Sequence, residues 1–515
     1  MRIRWTVVLA LLMWHPVAHA ASFLVSNTND AGNGSLRNAI TNANGATGTN
    51  TILISATGTI SLLLPLPTVS FTLTITGPGA DQLTIRRSAG TFPVLTINGT
   101  VQLSGVSIKD GGGGGGNGGG IVVEAGSLVL LDSMISGNSA SIGSGIYSNG
   151  ALTIRRSMIS SNTGTGVIYS TDTTTVTDST IADNQGTAIV FPPTDATKTL
   201  TIDRSTISGN TDASGIGGLQ LQGGTASIRN TTFSGNSGPK GGDLWTYSDG
   251  VMLSLVSVTA AGSSAPALLF DHNATVTLRN TLFAGTGTRC SPGSPTSQGH
   301  NLSSDMTCNL LDATDKPGID AVLGPLAANG GTSQTHALLA GSPAVNAGDG
   351  TGLETLDQRG KPRIQFAAVD IGAFEVTEPL ISLQPVPQAL VAGNAFTLTV
   401  GSMNQNSATP LKFQWRKDDA PITDATSNMF TKPDAQVEDS GMYDVLVING
   451  GGSLASVKIA VNVAPALKGD SDPGDGGGGC CSASVAGTGS NAVLGLLLAV
   501  FLGIPRRPSS QRRRR

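Results

Sequence analysis

Leu128-Val-Leu-Leu-Asp-Ser-Met-Ile-Ser-Gly-Asn138 recurs as Leu152-Thr-Ile-Arg-Arg-Ser-Met-Ile-Ser-Ser-Asn162, Thr174-Thr-Val-Thr-Asp-Ser-Thr-Ile-Ala-Asp-Asn184 and Leu200-Thr-Ile-Asp-Arg-Ser-Thr-Ile-Ser-Gly-Asn210. Ala226 to Asn236 and Val276 to Thr286 continue the pattern, and Val251 to Gly262 is a degenerate copy. The closing asparagines, Asn138, Asn162, Asn184, Asn210 and Asn236, are spaced 24, 22, 26 and 26 residues apart. Each unit also carries a second short apolar stretch after a small-residue turn, as in Gly145-Ile-Tyr, Gly166-Val-Ile-Tyr and Gly218-Leu-Gln-Leu. Units this small cannot bury a core alone, so each must stack on its neighbours.

Strands of three to five residues between Gly, Ser and Asn turns make each unit one turn of a parallel β-helix, at about 3.3 Å per residue. Stacking predicts an inner aliphatic column of Leu130, Ile154, Val176, Ile202, Ile228 and Leu278, and another of Ile135, Ile159, Ile181, Ile207, Phe233 and Phe283. The asparagines are expected to form a hydrogen-bonded ladder at a turn, in left-handed backbone. The fifth position reads Asp132, Arg156, Asp178, Arg204, placing opposite charges alternately along the stack. A calcium-binding or catalytic face would concentrate carboxylates instead, so this stripe is expected to be structural.

Composition agrees with a repeat array. Gly supplies 69 of 515 residues, nearly twice its usual share of about 7%. Only 12% of residues are charged and 4% aromatic, which disfavours a helical bundle. A formal net charge of −4 without a basic patch disfavours nucleic-acid binding. Four cysteines without CxxC or Cys/His spacing exclude a zinc framework, and no cofactor motif is present. The Gly111 to Gly120 run lacks the Lys-Ser/Thr of a phosphate loop and is expected to be a turn between coils.

The two ends suggest export. Arg2 and Arg4, an apolar run from Thr6 to Trp14, and Ala18-His19-Ala20 before Ala21 form a signal-peptide pattern, with cleavage expected between Ala20 and Ala21. At the other end come a Gly-rich linker over 466–479, the pair Cys480-Cys481, an apolar core from Ala492 to Ile504, and an arginine cluster to Arg515. That order predicts a C-terminal anchor over 480–515: a transmembrane helix held by its basic tail, with a sorting protease acting near Cys480 and Cys481. The apolar core is about 13 residues, short of the roughly 20 that cross a bilayer.

Gly34-Ser-Leu-Arg-Asn-Ala-Ile40 is expected to form a short helix N-capped by Ser35, with Leu36, Ala39 and Ile40 on one face, covering the open end of the coil. Downstream, Gly299-His-Asn-Leu302, Leu323-Gly-Pro-Leu, Thr335-His-Ala-Leu-Leu, Asp357-Gln-Arg-Gly360 and Asp370-Ile-Gly-Ala-Phe-Glu375 follow in order. Together with the Ser-Leu-Arg start these motifs resemble the choice-of-anchor Q domain of bacterial surface proteins, and the C-terminus resembles a Cys-containing sorting signal. The resemblance covers roughly residues 22 to 376. It implies a right-handed parallel β-helix on a cell-envelope or outer-membrane protein, and no established enzymatic activity. Cys290 and Cys308 lie in its capping region and are expected to form a disulfide in an oxidising compartment, two free thiols being the alternative. His336 and Asp357 to Arg359 are expected to serve structure, the histidine by bonding a carbonyl.

From residue 379 to 465 the strands lengthen. Phe396-Thr-Leu-Thr-Val400, Leu411-Lys-Phe-Gln-Trp415, Asp439-Ser-Gly-Met-Tyr-Asp-Val445 and Val457-Lys-Ile-Ala-Val461 resemble an immunoglobulin-like sandwich, with Tyr443 at the tyrosine corner and Leu398 and Val445 in place of the disulfide. The expected chain is therefore all-β: a signal peptide (1–20), a β-helix with its capping region (21–378), the sandwich (379–465), the linker and the anchor. The function expected is non-catalytic adhesion or extracellular binding of a glycan or cell-surface ligand, with membrane attachment through the C-terminus. A polysaccharide lyase or glycoside hydrolase is the alternative. Of its needed carboxylates, Asp178 and Asp203 are the repeat-face candidates, and their columns contain arginine.

Overall fold

The computed structural model describes residues 20–466, apart from 272, 294, 340, 364–367, 378, 404–409 and 450–451. Residues 20 to 317 wind into a parallel β-solenoid with three sheets, built in each coil in the order C, A, B. One coil consists of Ile121–Val123 in sheet C, Ser127–Leu131 in sheet A and Met134–Ser136 in sheet B, and the next of Ile146–Ser148, Ala151–Arg155 and Met158–Ser160. Sheets A and B hold 12 strands each and sheet C holds 9. Register is kept from coil to coil: Leu130 faces Ile154, Ile154 faces Val176, and Ile135 faces Ile159. Both expected inner columns are fully buried. The degenerate copy adds Leu255 and Ala260 to them, in register with Ile228 and Phe233.

Two polar ladders run beside the apolar ones. In the first, the side-chain amide of each asparagine donates to the Oδ1 of the next: Asn138 to Asn162 at 2.9 Å, Asn162 to Asn184 at 3.0 Å, Asn184 to Asn210 at 2.8 Å and Asn210 to Asn236 at 2.9 Å. The same Nδ2 groups reach carbonyls of the preceding coil, as from Asn162 to Ile135 and from Asn184 to Ile159. The left-handed backbone expected at these asparagines is found one residue earlier, at Gly137, Ser161, Asp183, Gly209 and Gly235. The turn thus bends just before the amide that staples it. In the second ladder, between sheets A and B, the backbone N–H groups of Ser133 and Ser157 donate to the hydroxyls of Ser157 and Ser179, both at 3.2 Å.

The helix Leu36–Gly45 closes one end. Ser35 caps it by accepting from Asn38 N at 3.2 Å, and Leu36, Ala39, Ile40 and Ala43 are buried. They meet the first coils with a residual void of only about 10 Å³ beside Leu36, Ile40, Ile75 and Leu103.

After Lys316–Pro317 the chain turns back. The antiparallel pair Leu323–Ala327 and Thr335–Leu338, and the segment to Val376, lie across the outer face of sheet B rather than over the end of the coil. A separate apolar core forms there from Ala261, Leu282, Leu302, Leu338, Ile371, Phe374 and Val376. Its polar seams reach well back along the stack: Thr206 Oγ donates to Gln334 O at 2.6 Å, and Thr232 Oγ to Gln358 Oε1 at 2.6 Å. Cys290 and Cys308 are joined by a disulfide at the last coils.

The described residues from 379 to 466 form mostly antiparallel β-structure around Trp415, with Gln388–Val391 pairing in parallel with Ile459–Ala464. Lys412–Lys417 pairs with Gly441–Asn449, setting Trp415 opposite Val445. Trp415, Leu398, Val445 and Tyr443 share one buried core, and Tyr443 Oη donates to Asp439 O at 2.7 Å.

One expectation is corrected. Among the described residues no helix is long and apolar enough to cross a membrane. The one described α-helix has 10 residues and rises about 15 Å, half a bilayer core. No described helix supplies the transmembrane span and membrane partnership expected at the C-terminus, and both are withdrawn; the segment 480–515 from which they were read lies outside the described residues. Cys480 and Cys481 lie outside the described residues, as do residues 1–19 before Ala20 and Ala21.

Candidate functional site

The charged stripe falls at the turn between sheets A and B, where Asp132, Arg156, Asp178 and Arg204 all have left-handed backbone, with φ of 48°, 47°, 52° and 46°. Their side chains resolve into two pairs. Arg156 donates to Asp132 in a fork, both bonds 2.7 Å, and this guanidinium holds the Asp132 carboxyl below its ordinary range. Arg204 donates to Asp178 at 2.8 and 3.2 Å and to Asp203 at 2.5 Å. The two acids that a glycan-cleaving reading would need are thus bridged by one arginine. Burial pushes the Asp203 carboxyl upward. An open groove of about 460 Å³ runs between Asp132, Arg156 and Asp178 on one side and the outward Met134, Met158 and Thr180 on the other.

The motifs near residues 336 and 357–375 come together beneath the returning segment as a buried ionic cluster. Asp357 Oδ2 accepts from Arg359 Nε at 2.8 Å, and its Oδ1 from the backbone N–H groups of Arg359 and Lys361, both at 2.9 Å. The Arg359 guanidinium lies 3.7 Å above the Phe374 ring. Arg363 donates to Glu375 Oε2 at 3.3 Å and to Asn230 Oδ1 of the solenoid at 2.9 Å. Asp370 accepts from Asn346 N and Val376 N at 2.7 and 2.6 Å. Three carboxyls meet two guanidiniums here; burial pushes the Asp370 carboxyl up, and burial together with repulsion from Asp370 pushes Glu375 up to about 8. His336 bonds Gly324 O and Ser234 Oγ, both at 2.8 Å, and burial lowers its pKa. Every member ties the segment to itself or to sheet B.

Two surface features escape a linear reading. On the outer face of sheet C, register lines up Val122, Tyr147, Tyr169, Val190, Gln220, Trp245 and Leu269. Tyr147 and Tyr169 stack with centroids 5.6 Å apart and planes 9° from parallel, and Trp245 meets Tyr247 edge-on at 4.8 Å. The indole N–H donates to Asp271 Oδ2 at 2.8 Å, which sets the ring. The column was detectable as the shared offset of Tyr147 and Tyr169 within their repeats, but Trp245 sits in a coil whose repeat is degenerate. The second feature is a cleft of about 210 Å³ where residues 352–354 cross the edge of sheet A beside Arg229, Ser257 and Arg279. No local signal marks it, because its walls come from segments more than 70 residues apart. Among the described residues no group of three or more His, Cys, Asp or Glu side chains is placed to hold a metal ion.

Residues 93–264 and 146–299 match the family described as the right handed beta helix region. The decoration protein of Escherichia phage T5 is 38% identical over 78 residues, 15% of this chain and 46% of that protein, so the chain spans less than half the length of that relative. Sidekick-1 immunoglobulin domains 1–5 share 30% identity over 16% of this chain and 18% of that chain, with a TM-score of 0.15. The N-terminal Ig1-2 module of the Drosophila receptor protein tyrosine phosphatase DLAR shares 17% identity over 17% of this chain and 45% of that chain, also with a TM-score of 0.15. Likenesses of that size carry no argument about the fold.

Proposed function

We propose that this right-handed β-solenoid is an exported, non-catalytic protein that binds an extended ligand outside the cell, as an adhesin does. The observation that carries the reading is the outward column of sheet C. Short outward positions elsewhere on the solenoid are mostly Ser and Thr, whereas this column sets the half-buried Tyr147 and Tyr169 on adjacent strands of a rigid frame, with Trp245 buried three strands further on. Aromatic side chains combine apolar area with a polar tip and lose little entropy on binding, which suits recognition of a saccharide or protein surface. The repeat-face charges are meanwhile committed to one another.

Export is supported by the Cys290–Cys308 disulfide, a bond that persists in oxidising compartments. The finer assignments belong to the same proposal: a choice-of-anchor Q arrangement for residues 21–378, and an immunoglobulin-like spacer for 379–465. The buried Trp415 and the Tyr443 to Asp439 corner support the spacer. The test is binding of purified full-length chain to whole bacterial or host cells, comparing wild type with Tyr147→Ala/Tyr169→Ala. A loss of about tenfold or more in retention supports the reading, and unchanged retention removes sheet C from it.

A further inference from the structure

The cleft between Arg229 and Arg279 lies on the far side of the coil from the tyrosines. Arg229, Val256 and Arg279 occupy one register column, so the two arginines stand two strands apart, about 10 Å, with a smaller residue between them. One arm of each is already fixed by the returning segment: Arg229 Nη1 donates to Glu354 Oε1 at 2.8 Å, and Arg279 Nη2 to Thr351 O at 2.7 Å. These bonds aim the forks without exhausting them. The Arg279 guanidinium has its carboxylate neighbour, Asp349, only at 4.0 Å. Arg279 and Ser257 line the cleft, and Arg279 Nε and Ser257 Oγ are buried behind it without a hydrogen-bond partner. A buried donor left unpaired is costly, and a donor-rich cavity in front of such orphans is complementary to an oxyanion. Ser227 and Ser254 are shared with an adjoining groove of about 130 Å³ that continues past Thr225, Met252, Thr275 and Thr277 and whose exposed lining is mostly apolar. The oxyanion site therefore opens onto a mostly apolar strip edged by serine and threonine hydroxyls rather than ending as a closed hole.

We infer that this cleft binds the carboxylate or sulfate of an acidic saccharide, with Arg279 and Arg229 on the oxyanion and the apolar face of the adjoining sugar ring along that strip. A free anion would meet the arginine forks but leave the strip unused. Nucleic acid does not fit a chain of net charge −4 whose two arginines here each have a carboxylate neighbour, Glu354 and Asp349.

Calorimetry on the full-length chain at low salt tests this, with a glucuronic acid trisaccharide, the neutral glucose trisaccharide, sodium sulfate and triglutamate as probes. The acidic trisaccharide is expected to bind about tenfold or more tightly than the other three. Arg279→Gln and Ser254→Tyr are each expected to weaken it by about tenfold. Ser254 points outward from sheet A, so the tyrosine fills the cleft without touching the core and keeps the test valid if Arg279→Gln misfolds. Equal binding of the neutral sugar, of triglutamate or of sulfate, or wild-type affinity in a folded Ser254→Tyr chain, overturns the inference. Tyr147→Ala/Tyr169→Ala leaves this site intact, so loss of cell binding there and loss of acidic-sugar binding here are separable outcomes.

Discussion

Asn184 makes its amide serve two coils at once. Its Nδ2 donates to Asn210 Oδ1 and Ile159 O, while its Oδ1 accepts from the backbone and side-chain amides of Asn162. Replacing it with Ala leaves several buried groups unpaired, each worth roughly 1–3 kcal/mol. We predict that Asn184→Ala costs about 3 kcal/mol in urea unfolding, more than removal of an exposed ion pair. Arg156 shows the contrast. Its fork to Asp132 is half-exposed, and its left-handed backbone costs a non-glycine residue roughly 1–2 kcal/mol. Arg156→Gly is therefore expected to shift stability by less than about 1 kcal/mol, since relief of strain offsets the lost pair. The ladder was legible in the sequence because an identical residue recurs at a fixed offset. The conformation at Arg156 was not, because nothing in an arginine announces positive φ.

At the scale of elements, the returning segment is held by charge buried against sheet B. Glu375, with an ordinary value of 4.5, is held up to about 8 by burial and by Asp370, so the folded state keeps a proton that the unfolded chain has lost. Folded protein then binds more protons than unfolded, and stability falls as pH rises. We predict that stability is greatest below about pH 4.5 as far as Glu375 is concerned, and that this contribution is lost as pH climbs to 8. Glu375→Gln should flatten that slope in a series of melting curves; a slope unchanged in the variant would place the proton elsewhere. The disulfide acts on the neighbouring coil. Cys290→Ser/Cys308→Ser opens a loop with a sequence separation of 18, which corresponds to about 3 kcal/mol by chain entropy, read as a higher melting temperature of the oxidised wild type than of the variant. The motifs of this segment were visible in sequence, but their destination was not. A linear pattern shows that Asp357, Arg359, Asp370 and Glu375 recur in order, whereas their seat on the flank of sheet B depends on Thr206, Thr232 and Asn230, more than 100 residues earlier.

Across the whole molecule, repeat period and apolar alternation were enough to anticipate the solenoid, its inner columns and its N-terminal helix, because one coil repeats the same packing problem many times. The outer faces were harder. What a coil shows to solvent is free to vary, so the tyrosine column of sheet C and the arginine cleft of sheet A emerge only when register stacks distant residues. The expected membrane span has no counterpart among the described helices, and the short apolar core and basic tail that suggested it lie outside the described residues. The measurement that bears most directly on a binding, non-catalytic solenoid is mass spectrometry of what the immobilised full-length chain retains from a mixture of neutral and acidic oligosaccharides. Retention of a subset at unchanged length is the predicted result. Shortened or unsaturated products, or no retention of any member, would contradict it.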